Sequence, residues 1–384
     1  MYLNLTSLVV LIASILTAIL TLLYVGLLFY LKMGWTNLSP FYVGVQTCKT
    51  TVSVLIAARN EEEKIKNTIE DVLAQDYPSH LLQLIIVDDH STDRTSEIVR
   101  SFADQGVKLI VLNEKEALNS YKKKAISEAI NQSDAELIVS TDADCRMGSK
   151  WLRTIVSLYE SGDYKLISSP VVYFEEQNLF EKMQSLEFLF LISLGASGIG
   201  NGRPSTCNGA NLAYRRDVFL DLNGFQGIDN LASGDDELFM HKVAAAHPQG
   251  IAFCKSRDAF VYTHAKASLG EFIQQRKRWA SKSTSYKNRW LVALGITVWV
   301  FNLSIFLNAI AGFINPVFWM IAAVSFGFKA LGELLFMIPV CQFVGRPKLL
   351  WYQPFLSLIH ILYLIYIGIA GNSGKYMWKG RMVR

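Results

Sequence analysis

The sequence predicts an α/β domain with a mainly parallel sheet, flanked by transmembrane helices, one before it and about three after it. Three observations predict this. Residues 1–31 carry no charged side chain. Residues 50–265 alternate short β-branched runs with helically spaced apolar residues. Residues 290–328 are again uncharged, and 351–370 are strongly apolar. Composition agrees: 51% of the 384 residues are hydrophobic, high for a wholly soluble enzyme, yet 18% are charged, so part of the chain lies in water.

The elements follow in order. Leu5–Leu31 exceeds the roughly 20 apolar residues that span a bilayer. It lacks the basic start, short apolar region and small-residue cleavage site of a signal peptide, so residues 1–34 read as a retained anchor. Lys32 and Lys49 then place the domain at 50–285 in the cytoplasm by the positive-inside rule. Thr51–Ala57, Leu82–Val87, Val107–Leu112 and Glu136–Ser140 read as strands. Glu62–Leu73, Thr92–Phe102 and residues 121–131 read as helices, with Ile65, Ile69 and Leu73 on one face of the first. Strands alternating with helices imply right-handed βαβ units in a parallel sheet. No GxGxxG follows the first strand, which disfavours a dinucleotide-binding fold of the usual kind.

Leu186–Ile199 is a mostly apolar stretch of about 14 residues, too short to span; an interfacial or re-entrant helix and a core helix both fit it. Residues 290–371 form a C-terminal transmembrane region. Two spans meet near Asn315-Pro316, and the second runs past Lys329 and Glu333, whose i,i+4 spacing allows an ion pair. Trp351–Ala370 is the last span. The span count puts the basic tail at 372–384 outside, whereas Lys375, Lys379, Arg381 and Arg384 favour the inside, and the two arguments conflict.

A net charge of +4 is mild and does not suggest nucleic acid; basic residues beside spans hold a chain against anionic headgroups. The five cysteines, at 48, 145, 207, 254 and 341, include no CxxC pair and have no His cluster, which argues against a disulfide framework or a zinc site. They read as reduced, mostly buried thiols.

Three acidic clusters fall where a sheet enzyme would use them, since ligands of open α/β sheets sit at the carboxyl ends of strands. Asp88-Asp89, with Ser91 and Asp93, follows the second strand; the bland alternative is a solvated helix cap from Ser91 or Thr92. Asp142-Ala143-Asp144 follows the fourth strand, and two carboxylates one residue apart at a turn can both reach Mg²⁺ or Mn²⁺ bridging substrate phosphates. Gly234-Asp235-Asp236-Glu237 precedes an apolar helical stretch. A carboxylate there can serve as general base to an acceptor hydroxyl, or simply complement the helix dipole. A fourth, basic feature, Gln274 to Trp279, offers Arg beside an aromatic ring for a diphosphate and a sugar or base, or else a positive-inside flank.

Six stretches now stand in one order: VSVLIAARNEEEKI, LIIVDDHSTDRT, STDADC, CNGANLAYRR, SGDDELF and QQRKRW. In that order they resemble the membrane-bound family 2 glycosyltransferases of the GT-A fold, over about residues 50–290. That group includes cellulose, chitin, hyaluronan and poly-N-acetylglucosamine synthases and the ceramide and hopanoid glycosyltransferases. The resemblance implies that Ala57, Arg59, Glu61 and Asp89 line the nucleotide pocket, with Asp89 near the base. It implies a phosphate-side lysine within Lys122-Lys123-Lys124, here assigned to Lys122, although Tyr121 replaces the family's preceding Gly. Asp142 and Asp144 resemble the pair that holds the metal and the donor diphosphate. Asp236 aligns with the catalytic base and Asp235 with its acidic neighbour. Gln275, Arg278 and Trp279 match QxxRW, which closes over the diphosphate and the acceptor end.

What the resemblance implies is an inverting transferase that uses Mg²⁺ or Mn²⁺ and a nucleotide-sugar donor, with uracil as the expected base. It would sit in a bacterial inner (plasma) membrane with its catalytic domain cytoplasmic. The metal and Arg278 would offset charge on the leaving diphosphate while Asp236 takes the acceptor proton. Two acceptors remain open. A compact chain with few spans favours single transfer to a membrane lipid, and the alternative is processive synthesis of a polysaccharide. A degenerate, non-catalytic membrane protein is a remote third reading, because every motif acid and the Trp are present.

Overall fold

In the computed structural model, residues 5–44, 48–114, 120–229, 231, 233–282, 286, 288–371, 376–378 and 381–383 are described. They fall into two compact units. The sheet unit holds residues 34–177, 191–265 and 375–384, and the helical unit holds 1–33, 178–190 and 266–374.

The sheet unit begins as the hydrophobic pattern predicts. β1 (Val52–Ala58), β2 (Leu82–Asp88), β3 (Val107–Val111) and β4 (Leu137–Asp142) are mutually parallel in the order β3-β2-β1-β4. Between them run α2 (Ile65–Leu73), α3 (Thr95–Arg100) and α4 (Tyr121–Asn131). β1 is buried along almost its whole length, as expected of a strand covered on both faces. α2 buries Ile65, Thr68, Ile69 and Val72, one helical stripe. α3 starts at Thr95 rather than near Thr92, and its first turn is held by neither Ser91 nor Thr92. The Asp93 carboxylate does this, accepting from the Thr95 amide (3.0 Å) and hydroxyl (2.6 Å).

Beyond β4 the sheet changes direction. β8 (Leu212–Arg215) is antiparallel to β4, β6 (Leu166–Ser168) is antiparallel to β8, and β9 (Ile251–Phe253) is parallel to β6. A second sheet orders β5 (Arg146–Met147), β10 (Val261–Thr263) and β7 (Val171–Tyr173). Strands of two to four residues carry no readable period, so this half of the unit was invisible in the sequence. α5 (Trp151–Glu160), α7 (Arg216–Asp221) and α8 (Glu237–Ala246) complete the unit. Its core is pinned by Asn211, fully buried and satisfied by the Trp151 indole and the carbonyls of Pro170 and Ala259. Near the C-terminus, β11 (Tyr376–Trp378) and β12 (Arg381–Val383) pair antiparallel. Lys375, Lys379 and Arg384 of the expected basic tail lie outside the described residues.

The helical unit draws on α1 (Leu5–Asn37), α6 (Leu179–Gly200), α9 (Leu269–Ser281), α10 (Arg289–Ala311), α11 (Val317–Val344) and α12 (Gln353–Ala370). Among the described residues, five helices are long and apolar enough to cross a membrane: α1, α6, α10, α11 and the segment Pro347–Ala370 containing α12. α10 and α11 meet around Asn315-Pro316 as expected, and α11 continues through Lys329 and Glu333. Leu22, Ile314, Trp351 and Phe355 point outward and are at least two-thirds exposed, an apolar exterior that suits lipid. Inside, the Lys329 ammonium contacts Glu333, which also accepts from Tyr24 (2.5 Å), Ser357 (2.5 Å) and Gln353 (3.2 Å).

The expected short helix at 186–199 requires correction. α6 is 22 residues long, starting at Leu179, and 67% of its most apolar window is buried. Glu181, Lys182, Gln184 and Glu187 broke the apolar run in the sequence, yet Gln184 and Glu187 are buried against partners from distant parts of the chain.

Candidate active site

The carboxyl edge of the parallel strands collects the acidic clusters. β1 ends at Ala58 opposite Asp88, and Ala57 lies opposite Asp142, so the polar residues after three strands emerge side by side. Arg59 donates to the carbonyls of Asp89 (2.9 Å) and His90 (3.1 Å), and the Asp89 amide donates to Ala58 (2.8 Å). The Glu61 amide donates to the Thr95 hydroxyl (2.8 Å). These bonds stitch the loops after β1 and β2 into one wall. Asn60 and His90 both take the left-handed backbone conformation, a strained arrangement common where a chain is shaped around a ligand. Within the acidic pair, Asp88 is structural: it accepts from the Ser91 amide and the Ser96 hydroxyl and steadies α3. Asp89 is buried and hydrogen-bonds the His90 ring at 3.0 Å.

Lys122 links two of the clusters. From the first turn of α4 its ammonium lies 2.9 Å from Asp142 and 3.4 Å from Asp235. Burial alone would lower the affinity of that ammonium for its proton. The carboxylates of Asp142, Asp235 and Asp236 outweigh this and hold its pKa well above the ordinary lysine range. The three consecutive lysines therefore separate by role. Lys122 faces the carboxylates, and Lys124 lies 3.9 Å from Glu128 on the helix surface. Lys123 is buried and donates to the carbonyls of Ile228 (2.6 Å), Leu231 (2.6 Å) and Ser233 (2.8 Å), holding the segment that precedes Gly234-Asp235-Asp236.

Asp236 caps α8 by accepting from the Glu237 amide (2.7 Å), and its other oxygen accepts from the Gly209 amide (3.0 Å). The helix-cap role is thus real. Each carboxylate oxygen has a second lone pair, so the cap leaves acceptor capacity for a substrate hydroxyl. A Cβ at position 209 would lie 3.3 Å from the Asp236 Cβ and 3.4 Å from the Asp235 carboxylate, so the glycine permits this approach. Gly234, at φ 86°, provides the left-handed turn that brings Asp235 in. Glu237 is buried and accepts from Thr206 (2.9 Å), which gives it a structural part.

Asp144 opens onto a cavity of about 130 Å³ that Lys64, Asn67, Phe174, Glu175 and His264 also line. The Phe174 and His264 rings lie 4.5 Å apart. Of these, only Lys64 stands in a motif stretch, and only the fold brings them to Asp144. Among the described residues no three His, Cys, Asp or Glu side chains form a closed metal centre. Two carboxylates at an open edge still fit Mg²⁺ or Mn²⁺, which commonly take one or two protein carboxylates and complete their shell with phosphate and water oxygens. Burial, then Asp144 and Asp142, push the adjacent Cys145 thiol well above its ordinary range. Gln275, Arg278 and Trp279 lie on α9, which belongs to the helical unit.

Residues 53–222 match the model of glycosyl transferase family 2. Glycosyltransferase AglE of Haloferax volcanii is 27% identical over 235 residues, 59% of this chain and 71% of that protein. Poly-beta-1,6-N-acetyl-D-glucosamine synthase of Staphylococcus epidermidis is 34% identical over 241 residues, 60% of this chain and 53% of the synthase. Beta-monoglucosyldiacylglycerol synthase of Nostoc sp. is 32% identical over 109 residues, 28% of this chain and 23% of that enzyme. The match therefore spans only about half or less of the latter two relatives. Among solved structures, a mannosyltransferase from Pyrobaculum calidifontis, in complex with GDP-Man and Mn²⁺, superposes with a TM-score of 0.60 at 18% identity, covering 91% of this chain and 99% of its own. That likeness establishes the GT-A fold. Through residues 53–222, with the acidic strand ends that the sequence motifs marked, the chain matches glycosyl transferase family 2.

Proposed function

We propose that this chain is an inverting glycosyltransferase that moves a sugar from a nucleoside diphosphate to a lipid acceptor at the membrane surface. The observation that carries this reading is Lys122, whose ammonium bridges Asp142 of the DxD and Asp235 of the second acidic pair. One cation beside two carboxylate clusters at a strand edge suits a diphosphate bound next to a general base.

In this reading Ala57, Arg59, Glu61 and Asp89 hold the nucleoside, and Lys122 and Arg278 receive the diphosphate. Asp142 and Asp144 would hold Mg²⁺ or Mn²⁺, which supplies positive charge against the leaving group. The acceptor oxygen attacks the anomeric carbon from the face opposite the diphosphate. The bond from that carbon to the diphosphate oxygen breaks with its electron pair, and the acceptor proton passes to Asp236. One displacement inverts the centre, giving a β-linkage from an α-linked donor. The bound GDP-Man and Mn²⁺ of the Pyrobaculum enzyme support a metal-assisted sugar-nucleotide reaction, with the base and sugar left to assay.

The five candidate membrane helices and the diacylglycerol-glucosylating relative support a lipid acceptor, and the positive-inside pattern supports a cytoplasmic catalytic face. The longer match to the poly-N-acetylglucosamine synthase favours a second reading, processive polymer synthesis. Purified enzyme in nanodiscs, incubated with labelled donors, decides between them by mass: one added sugar per lipid, or a ladder. In the same preparation Asp236→Asn should retain donor binding while turnover falls on the order of 10²–10⁴-fold, the usual worth of a general base. The variant loses one of two amide contacts, at about 1 kcal/mol. Near-normal transfer would remove Asp236 from the chemistry.

A further inference from the structure

The QQRKRW segment contains an arginine that the motif leaves out. Arg276 is only 2% exposed. Its Nε donates to Glu187 Oε1 at 3.0 Å and its Nη2 to Glu187 Oε2, a two-pronged contact with a carboxylate that is itself buried on α6. Its third nitrogen, Nη1, donates to the Gln275 side-chain oxygen at 2.5 Å. The guanidinium lies 4.3 Å from the centre of the Trp279 ring and 4.5 Å from that of Phe272. Phe188, the residue after Glu187, packs its ring 5.8 Å from Trp279, and the Tyr363 hydroxyl of α12 donates to Glu187 at 3.4 Å.

Burying an ion pair is a poor way to gain stability, because an apolar pair of similar volume commonly does as well or better. What the pair supplies is direction. A guanidinium forked onto a carboxylate is fixed in plane and angle, and every nitrogen on it is a donor. A group that only donates can meet Gln275 only through that residue's oxygen, so the Gln275 amide nitrogen is turned away from Arg276 as a donor. The same plane stacks on Trp279 and sets its ring.

We propose that Arg276, locked by Glu187, is a positioning residue. It fixes Gln275 as a hydrogen-bond donor toward the anionic donor substrate and fixes the face of Trp279 offered to the sugar acceptor. This rests on the proposed role of Gln275 and Trp279 at the substrate. Arg276 touches no reacting atom; it acts through its two neighbours.

The test uses the full chain in nanodiscs and four variants: the apolar double replacement Arg276→Leu with Glu187→Leu, the single change Arg276→Lys, and Gln275→Ala and Trp279→Ala. Each is measured for melting temperature, donor KM and kcat. The apolar pair should melt within a few degrees of the parent, yet lose transfer on the order of 10–100-fold, the scale of a misplaced binding group. Should the apolar pair fold poorly, Arg276→Lys keeps a cation opposite Glu187 but gives up the two-pronged contact and its fixed plane, and the same loss is expected from it at near-normal melting temperature. A variant at this pair that melts and transfers like the parent overturns the inference, provided Gln275→Ala and Trp279→Ala are impaired. If those two are themselves unimpaired, the assignment of the motif to substrate falls, and the inference with it. Gln275→Glu adds a check on direction. A carboxylate pairs with Arg276 but cannot donate, so donor KM should rise at least tenfold, and an unchanged KM would contradict the donor orientation.

Discussion

Lys122 and Lys123 are adjacent in sequence and opposite in consequence. Lys122→Met removes a charge-assisted contact of about 1.5–3 kcal/mol, so donor affinity should fall roughly 10–150-fold with the melting temperature little changed. Lys123→Met leaves three carbonyls, that of Ser233 buried, without their shared donor, a penalty of about 1–3 kcal/mol for an unsatisfied group. It should depress the melting temperature while donor affinity stays within a few-fold. Donor titration and thermal unfolding of both variants check this pair, and matched phenotypes would end the division of roles. The sequence marked the run of lysines but carried no sign of which one faces the carboxylates, because that depends on where the 228–233 segment passes over α4. The carboxylates themselves were readable, since Asp89, Asp142 and Asp236 each stand directly after an apolar run or before a helical one. Lys64, Phe174 and His264 were not, because no local pattern links residues about 110 and 90 positions apart to the edge where Asp144 stands.

At the scale of elements, local pattern was informative wherever neighbours in sequence decide the environment. β2 and β4 are apolar runs ended by acids, β1 is one ended by Arg59-Asn60-Glu61, and α4 spans Tyr121–Asn131 as its spacing implied. α6 failed for the opposite reason: its polar residues are buried by partners on α9 and beside Lys266, which no window along the chain includes. The Lys329–Glu333 pair joins both cases, with a readable i,i+4 spacing and an unreadable environment supplied by Tyr24, Gln353 and Ser357. Removing one partner strands the other charge in a dry interior. Glu333→Gln should therefore cost about 3–5 kcal/mol, whereas replacing both residues by Met and Leu should be far milder. Unfolding of the three proteins in one detergent measures this, and a Glu333→Gln variant as stable as the parent would mean that the pair is not held as ions.

For the whole molecule, the chain passes repeatedly between its two units: residues 1–33, 178–190 and 266–374 belong to the helical one and the intervening segments to the other. Neither unit is a continuous stretch, so a cut that looks natural in the sequence removes parts of a packed core. Deleting residues 1–31 is the sharpest case. Within the helical unit, α1 buries Leu20, Tyr24 and Leu28, and its Thr17, Thr21 and Tyr24 bond Asn308, Ser325 and Glu333. The deletion would leave those three polar groups of α10 and α11 without these partners in an apolar bundle, where each unsatisfied group is costly. The truncated protein should extract from membranes as aggregate or melt at much lower temperature, and should fail on a membrane-borne acceptor. A fragment of residues 50–285 retains Arg276 and Glu187 but loses Tyr363 and the helices around them. It should be insoluble or inactive on that acceptor even where it still binds a nucleotide. Size-exclusion profiles, melting curves and transfer to lipid in nanodiscs report each step. A monodisperse 50–285 fragment with full transfer would show that the helical unit is dispensable both for folding the site and for delivering the acceptor.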